Sequence, residues 1–125
     1  MSYHYSKRST ERLGTCHRDL QTIFREVIKY VDVSIICGHR EEDAQNKAYA
    51  EGNSNRHWPN SKHNSFPSLA VDVVPYPVDW NDMNRFYELH GVIVVIAEQM
   101  RIPIIWGGHW QNLIDLPHYE LVRDL

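Results

Sequence analysis

The sequence predicts an α+β fold, a small and mostly antiparallel sheet with about three helices, and three observations predict it. In two long stretches apolar residues recur at three- and four-residue spacing, which marks amphipathic helices. Short β-branched runs are bounded by glycine or proline, as strands are. The two kinds of element do not alternate as regular βαβ units, which argues against a parallel sheet. A chain of 125 residues fits one domain, 1–125, with room for a hydrophobic core.

Residues 1–8 read as an irregular arm. Ser9 or Thr10 is placed to cap a helix with Glu11 in its first turn. Leu13, Cys16, Leu20, Ile23, Phe24, Val27 and Ile28 then form one stripe, predicting a single helix over about residues 10–30. Val33-Ser34-Ile35-Ile36-Cys37 is a strand ended by Gly38. Glu41-Glu42-Asp43 opens a second helix that suits acidic residues at its start, with Ala44, Ala48 and Tyr49 facing inward and Gly52 stopping it. Residues 53–67 are a long turn-rich loop, and long ordered loops often carry function. Residues 69–74 form a central strand ended by Pro75-Tyr76-Pro77. A third helix starts near Asp79-Trp80-Asn81-Asp82 and buries Met83, Phe86, Leu89, Ile93, Ile96, Ala97 and Met100. Residues 102–106 are a strand, Gly107-Gly108-His109-Trp110 a loop, and residues 118–122 a last strand.

Composition removes several function classes. With 42% apolar and 23% charged residues, the chain has the make-up of an ordinary globular protein. A net charge of -3 offers no basic field for the phosphates of nucleic acid. The most apolar run, residues 92–97, is too short for membrane insertion. The start of the chain lacks the apolar segment of a signal peptide, so synthesis in the cytoplasm is expected, with export or release by another agent. Cys16 and Cys37 make neither a disulfide framework nor a CxxC and read as buried thiols. A monomer is expected.

The chemistry-bearing residues start with Asp72, a carboxylate inside the apolar run Leu69-Ala70-Val71-Asp72-Val73-Val74. Burying an unpaired charge is costly, so such an Asp is normally paired, hydrogen-bonded or metal-bound. His63 precedes it by nine positions, and His118 opens the last strand. Catalytic zinc takes three ligands of this type and keeps a fourth position for water, so His63, Asp72 and His118 are a candidate Zn2+ triad. Zinc is preferred to iron or copper because the set mixes imidazole and carboxylate and hydrolysis needs no redox change. Taken singly, His63 also reads as a solvated loop histidine and Asp72 as a strand-end carboxylate. Asp115, three residues before His118, is placed to move protons during hydrolysis; its plainer reading is a turn former before Pro117. Glu120 is on the strand face of His118, where it can serve as a second base or, the favoured reading, accept from the His118 ring N–H. Arg40 ends the first strand and can meet an oxyanion or a carboxylate; otherwise it pairs with Glu41 or Glu42. Trp58, Trp80, Trp106 and Trp110 could wall a pocket or be ordinary packing.

Together these residues resemble a known group. Ser61-Lys62-His63, Ala70-Val71-Asp72, and a late histidine with an acid three positions earlier are similar to the zinc D,D-carboxypeptidase and dipeptidase superfamily. That superfamily includes the vancomycin-resistance D-Ala-D-Ala peptidases and the phage L-alanyl-D-glutamate endopeptidases. Pro75-Tyr76 with Asp79-Trp80-Asn81, and the short length, resemble the phage endolysin branch. The resemblance covers roughly residues 35–122. It implies His63, Asp72 and His118 as zinc ligands, Asp115 as catalytic acid/base, Arg40 as the cation for transition state or substrate, and Ser61 as a supporting polar group. It also implies the peptidoglycan stem peptide as substrate, phage-type lysis of the cell wall after release, for example through a holin, and the small α+β fold shared with the hedgehog signalling domain. The chain departs from the family pattern twice. His63 and Asp72 are nine positions apart instead of seven, with Phe66-Pro67-Ser68 where a glycine is usual, and the acid before the last histidine is Asp where many members have Glu. The alternatives are a D-Ala-D-Ala carboxypeptidase or dipeptidase, and a zinc-stabilised binding domain of the same fold without catalysis.

Overall fold

The computed structural model describes residues 3–123. Four α-helices and a four-stranded sheet follow one another as α1 (Lys7–Leu13), α2 (Arg18–Val27), β1 (Val33–Cys37), α3 (Glu42–Ala50), β2 (Ala70–Pro75), α4 (Met83–Met100), β3 (Ile104–Trp106) and β4 (His118–Leu121). One-turn 3-10 helices at Lys62–Asn64 and Gly107–His109 interrupt the loops. The strand order is β1-β2-β4-β3, and every neighbouring pair is antiparallel. This is the α+β architecture expected from the sequence.

The helix count differs because the stretch predicted as one helix over 10–30 is two. The stripe runs through, but the chain leaves helical geometry between Leu13 and Arg18. There Cys16 forms a parallel bridge with Ser68, with His17 N–H donating to the Ser68 carbonyl at 2.8 Å and Ser68 N–H to the Thr15 carbonyl at 2.9 Å. These bonds to a distant segment replace intrahelical ones. His17 then caps α2 by accepting from Asp19 N–H at 3.0 Å. The helix also begins earlier than Ser9 or Thr10: Ser6 is the cap, accepting from Ser9 N–H at 3.1 Å.

The core lies between α2, α4 and one face of the sheet. Leu20, Ile23, Phe24 and Val27 of α2 meet Leu89, Ile93 and Ile96 of α4 and Val71, Val73, Tyr119 and Leu121 of the strands. All six residues of β2 are buried, because it is an interior strand of the sheet; this is why its sequence does not alternate. Phe24 is fully buried with its ring edge-on to Tyr119. Phe24→Ala is expected to cost about 3–5 kcal/mol, read as a lower urea midpoint at unchanged m-value.

α3 departs from its expected stripe. Ala44 is exposed, Tyr49 largely so and Ala48 half-buried, whereas the residue it buries is Gln45, at 0% exposure. α3 lies over a polar site and not over the apolar core, so its inward position is filled by a hydrogen-bonding side chain. α4 starts at Met83, later than the predicted region, after a turn in which Asn81 N–H donates to Asp79 Oδ1 at 3.0 Å. Among the described residues, no helix is long and apolar enough to cross a membrane.

Candidate metal centre

Strand register assembles the centre. Asp72 of β2 lies directly opposite His118 of β4. On the other side, a bulge between Ile35 and Cys37 in β1 brings Cys37 opposite Asp72. Side chains alternate along a strand, so His118 and Glu120 share one face while Tyr119 and Leu121 point into the core.

His63 comes from the one-turn helix Lys62–Asn64. Ser61 caps that turn: its hydroxyl accepts from His63 N–H at 3.2 Å, and its own N–H donates to Asn64 Oδ1 at 3.0 Å. The turn is tied to the end of β1 by Arg40 N–H donating to the His63 carbonyl at 2.7 Å and Asn64 Nδ2 donating to the Arg40 carbonyl at 3.0 Å. Gly38 is required at that strand end, since a Cβ there would run into the Arg12 carbonyl and the Thr15 hydroxyl.

Three atoms converge. His63 Nε2 lies 3.2 Å from Asp72 Oδ1 and 3.3 Å from His118 Nδ1, and His118 Nδ1 lies 3.1 Å from Asp72 Oδ1. A tetrahedral ion with ligand bonds of about 2.0–2.1 Å has ligand-to-ligand edges of roughly 3.3 Å, so the triangle has the size of one face of such a site. The outer ring nitrogens settle the tautomers. His63 Nδ1 is 2.7 Å from the Gly38 carbonyl, which can only accept, so Nδ1 carries the hydrogen. His118 Nε2 is 2.8 Å from Glu120 Oε1 and donates there. Both neutral rings therefore aim lone pairs at the Asp72 carboxylate, and three acceptors meet with no proton among them. That arrangement fits a cation.

Without a cation, a proton takes its place. Burial opposes charge on His63, but the carboxylate of Asp72 outweighs it, with help from Cys37, and lifts the ring to about 10. His118 is raised in the same way, burial opposing and Asp72 and Glu120 prevailing. Asp72 is pushed up by burial but held well below the usual carboxylate range by the two imidazoles. Among the described residues, ligand atoms of Cys37, His63 and Asp72 lie within 4.8 Å of one another, as do those of Asp72, Asp115 and His118.

The remaining predicted residues surround this triangle. Arg40 donates from Nη1 to Gln45 Oε1 at 3.0 Å, and its Nη2 is 3.6 Å from Asp72 Oδ2 and 3.5 Å from Cys37 Sγ. Its ion pair is thus with Asp72 and not with Glu41 or Glu42. Glu120 takes Lys62 Nζ at 3.1 Å as well as His118, and these partners overcome burial and lower its pKa. Asp115 Oδ2 lies 4.0 Å from His118 Nδ1. Asp115 N–H donates to the Gly107 carbonyl at 3.0 Å; a Cβ on Gly107 would collide with the Asp115 carbonyl and come within 3.0 Å of His118 Cβ. Burial and the charge of Asp72 raise Asp115 to about 6, against the opposing pull of His118, His63 and Arg40.

Arg40, Ser61, His63, Asp72, Asp115, His118 and Glu120 all line one cavity of about 640 Å³. Trp80, Phe86, Trp110 and Ile114 make an apolar wall, and Asn53, Arg56 and Asn60 a polar one. Of the four tryptophans, Trp80 and Trp110 line the cavity, half-buried Trp58 is not among its lining residues, and Trp106 belongs to the core, where its ring stacks on His90 at 3.7 Å.

Three residues at the centre were not predicted as site residues. Cys37 reads from sequence as a buried thiol but is half-buried beside His63 Nδ1, 3.7 Å away; the bulge that puts it there leaves no sequence signature. Lys62 is visible only as the middle of Ser61-Lys62-His63. Gln45 accepts from Arg40 and Asn64 and donates to Ser54 Oγ at 3.0 Å and the Arg56 carbonyl at 2.7 Å. The sequence carries no signal of it, because Ala44, Ala48 and Tyr49 read as the inward face of α3. Gln45→Leu strands these partners, and a loss of about 1–3 kcal/mol is expected by urea denaturation.

The fold and the sequence both have known counterparts. The crystal structure of the Serratia marcescens L-Ala D-Glu endopeptidase ChiX matches with a TM-score of 0.80 and 30% identity, over 95% of this chain and 90% of that one. Curated protein sequences give no match. The family model described as phage L-alanyl-D-glutamate peptidase matches residues 1–122. By that match over nearly its whole length, the chain belongs to the phage L-alanyl-D-glutamate peptidase family.

Proposed function

We propose that residues 1–125 form a single zinc peptidase domain that hydrolyses the amide bond between L-alanine and D-glutamate in the peptidoglycan stem peptide. The observation that carries the metal-dependent part is the convergence of His63 Nε2, His118 Nδ1 and Asp72 Oδ1 at 3.1–3.3 Å, with both rings' other nitrogens already donating elsewhere. The choice of bond rests on the family and on the endopeptidase neighbour.

His63, Asp72 and His118 would hold the ion. When bound, it supplies Lewis acidity toward the scissile carbonyl and makes water a better nucleophile at neutral pH. Asp115, beside His118 at the cavity wall, takes the proton of the attacking water and returns it to the leaving amine. Arg40, fixed by Gln45 and next to Asp72, faces the negative charge that develops on the carbonyl oxygen. Glu120 holds the tautomer of His118, and Lys62 holds Glu120. Ser61 acts through the backbone, by fixing the turn that presents His63.

The test is mass spectrometry of muropeptides after digestion with zinc-loaded protein. Free D-Glu amino termini and stems ending in L-Ala are expected. Release of terminal D-Ala alone would replace this reading with a carboxypeptidase, and intact muropeptides with bound zinc would replace it with a binding domain.

A further inference from the structure

We propose that Arg56 reads the free carboxylate of the D-glutamyl residue on the leaving side of the scissile bond, an inference that rests on the peptidase reading above. Three side chains with permanent positive charge line the cavity: Arg40, Arg56 and Lys62. Two are engaged. Arg40 is bound to Gln45 and Asp72, and Lys62 Nζ donates to the Leu121 carbonyl at 2.7 Å and meets Glu120 at 3.1 Å. Among the described residues, the Arg56 guanidinium has no acidic partner and no hydrogen bond; only its backbone is held.

That backbone is held firmly. The Arg56 carbonyl accepts from the fully buried amide of Gln45 at 2.7 Å, and Arg56 N–H donates to Ser54 Oγ, which itself accepts from Gln45. The next residue, His57, packs with its ring tilted against Tyr49 of α3, ring centroids 3.7 Å apart. One buried side chain therefore fixes both the guanidinium beside the metal centre and the backbone that presents a second, unpaired guanidinium to the same cavity. Arg56 is exposed at the cavity edge, so its guanidinium is unengaged and accessible to an anion that enters the cavity.

The substrate must bring one. A glutamyl residue has two carboxyl groups and a linear chain uses one, so a carboxylate stands on the residue whose amide nitrogen is released. Arg suits such a partner because its planar fork matches a carboxylate with two parallel hydrogen bonds.

The experiment uses two synthetic stem peptides that differ only at that group, a carboxylate in one and a carboxamide in the other. Zinc-loaded wild type is expected to prefer the carboxylate in kcat/KM by about 10- to 100-fold, the span of a charge-assisted hydrogen bond. Arg56→Gln is expected to lose most of that preference by slowing on the carboxylate peptide alone, with zinc content and melting temperature unchanged, and Arg56→Lys to recover part of it. The same preference in wild type and Arg56→Gln, or no preference in wild type, overturns the role of Arg56 while leaving the peptidase reading in place. Cleavage of neither peptide by wild type overturns both.

Discussion

Alanine in place of His118 is expected to abolish metal retention and reduce stem-peptide hydrolysis to background, with chelation of the wild type doing the same reversibly. The reason is geometric. His63 Nε2, Asp72 Oδ1 and His118 Nδ1 form a triangle whose edges are all within 3.1–3.3 Å, and loss of one corner leaves two ligands. Glu120→Gln is expected to be milder, about 10- to 100-fold in metal affinity or activity, because it weakens the hold on the His118 ring and removes no ligand. Metal content by elemental analysis beside rates separates the two effects. The chelated protein carries a further signature. The folded pKa of His63, about 10, lies above its ordinary value near 6.5, so pairing with Asp72 stabilises the metal-free fold fully below about pH 6.5, and that stability is lost as pH rises through about 10. Asp72 is shifted down, so its contribution is present above its ordinary value and disappears only in acid. Metal-free protein should therefore melt lower at about pH 9 than at about pH 6. Metal-loaded protein should gain most from its ion at the higher pH, since the ligands bind deprotonated. A chelated melting temperature that did not fall across this range would mean that Asp72 does not hold protons on these rings.

The sequence marks the three converging side chains better than their surroundings, and particular residues show why. Asp72 was conspicuous because a charge in an apolar run has few physical explanations, and His118 and Asp115 stood close to each other in the chain. The opposition of Asp72 and His118 required only that their strands be neighbours, which an antiparallel sheet allows. By contrast, the bulge beside Cys37 and the fourfold bonding of Gln45 arise from contacts across long stretches of chain, and neither residue type in its local context announces them. The same applies to the broken first helix. The apolar stripe from Leu13 to Ile28 is continuous, and what interrupts the helix is pairing with Ser68, more than fifty positions away. Periodicity records which residues are buried, and both α1 and α2 obey it; it does not record where backbone bonds are surrendered to a distant partner. The segment between His63 and Asp72 runs along the surface at residues 65–67, where Phe66 is 73% exposed, and the three converging atoms still meet.

Asp115→Asn is expected to lower kcat by roughly 10²–10⁴, the usual contribution of a positioned acid/base, at unchanged zinc content. The substitution keeps the size of the side chain and leaves the three converging ligand atoms in place. It removes only the ability to take a proton from water. The wild-type pH profile should show the same group. Burial and the nearby charge of Asp72 raise Asp115 to about 6 in the metal-free centre, and the base form is the deprotonated one, so activity rises with pH up to that value and levels off above it. A bound cation favours the carboxylate, which moves this limb below about 6 and never above it. Stability gives a readout that a purely structural Asp115 would not. Because its folded pKa is raised, charge on Asp115 is unfavourable to the fold, and the penalty grows as pH rises from its ordinary value near 3.8 through about 6. At neutral pH the metal-free Asp115→Asn variant should therefore melt higher than the metal-free wild type, and the zinc-loaded variant should be nearly inactive. A variant that melted lower and kept its rate would assign Asp115 to holding the turn before Pro117. A variant that melts higher and loses its rate identifies a group held at a cost to the fold because the reaction needs it.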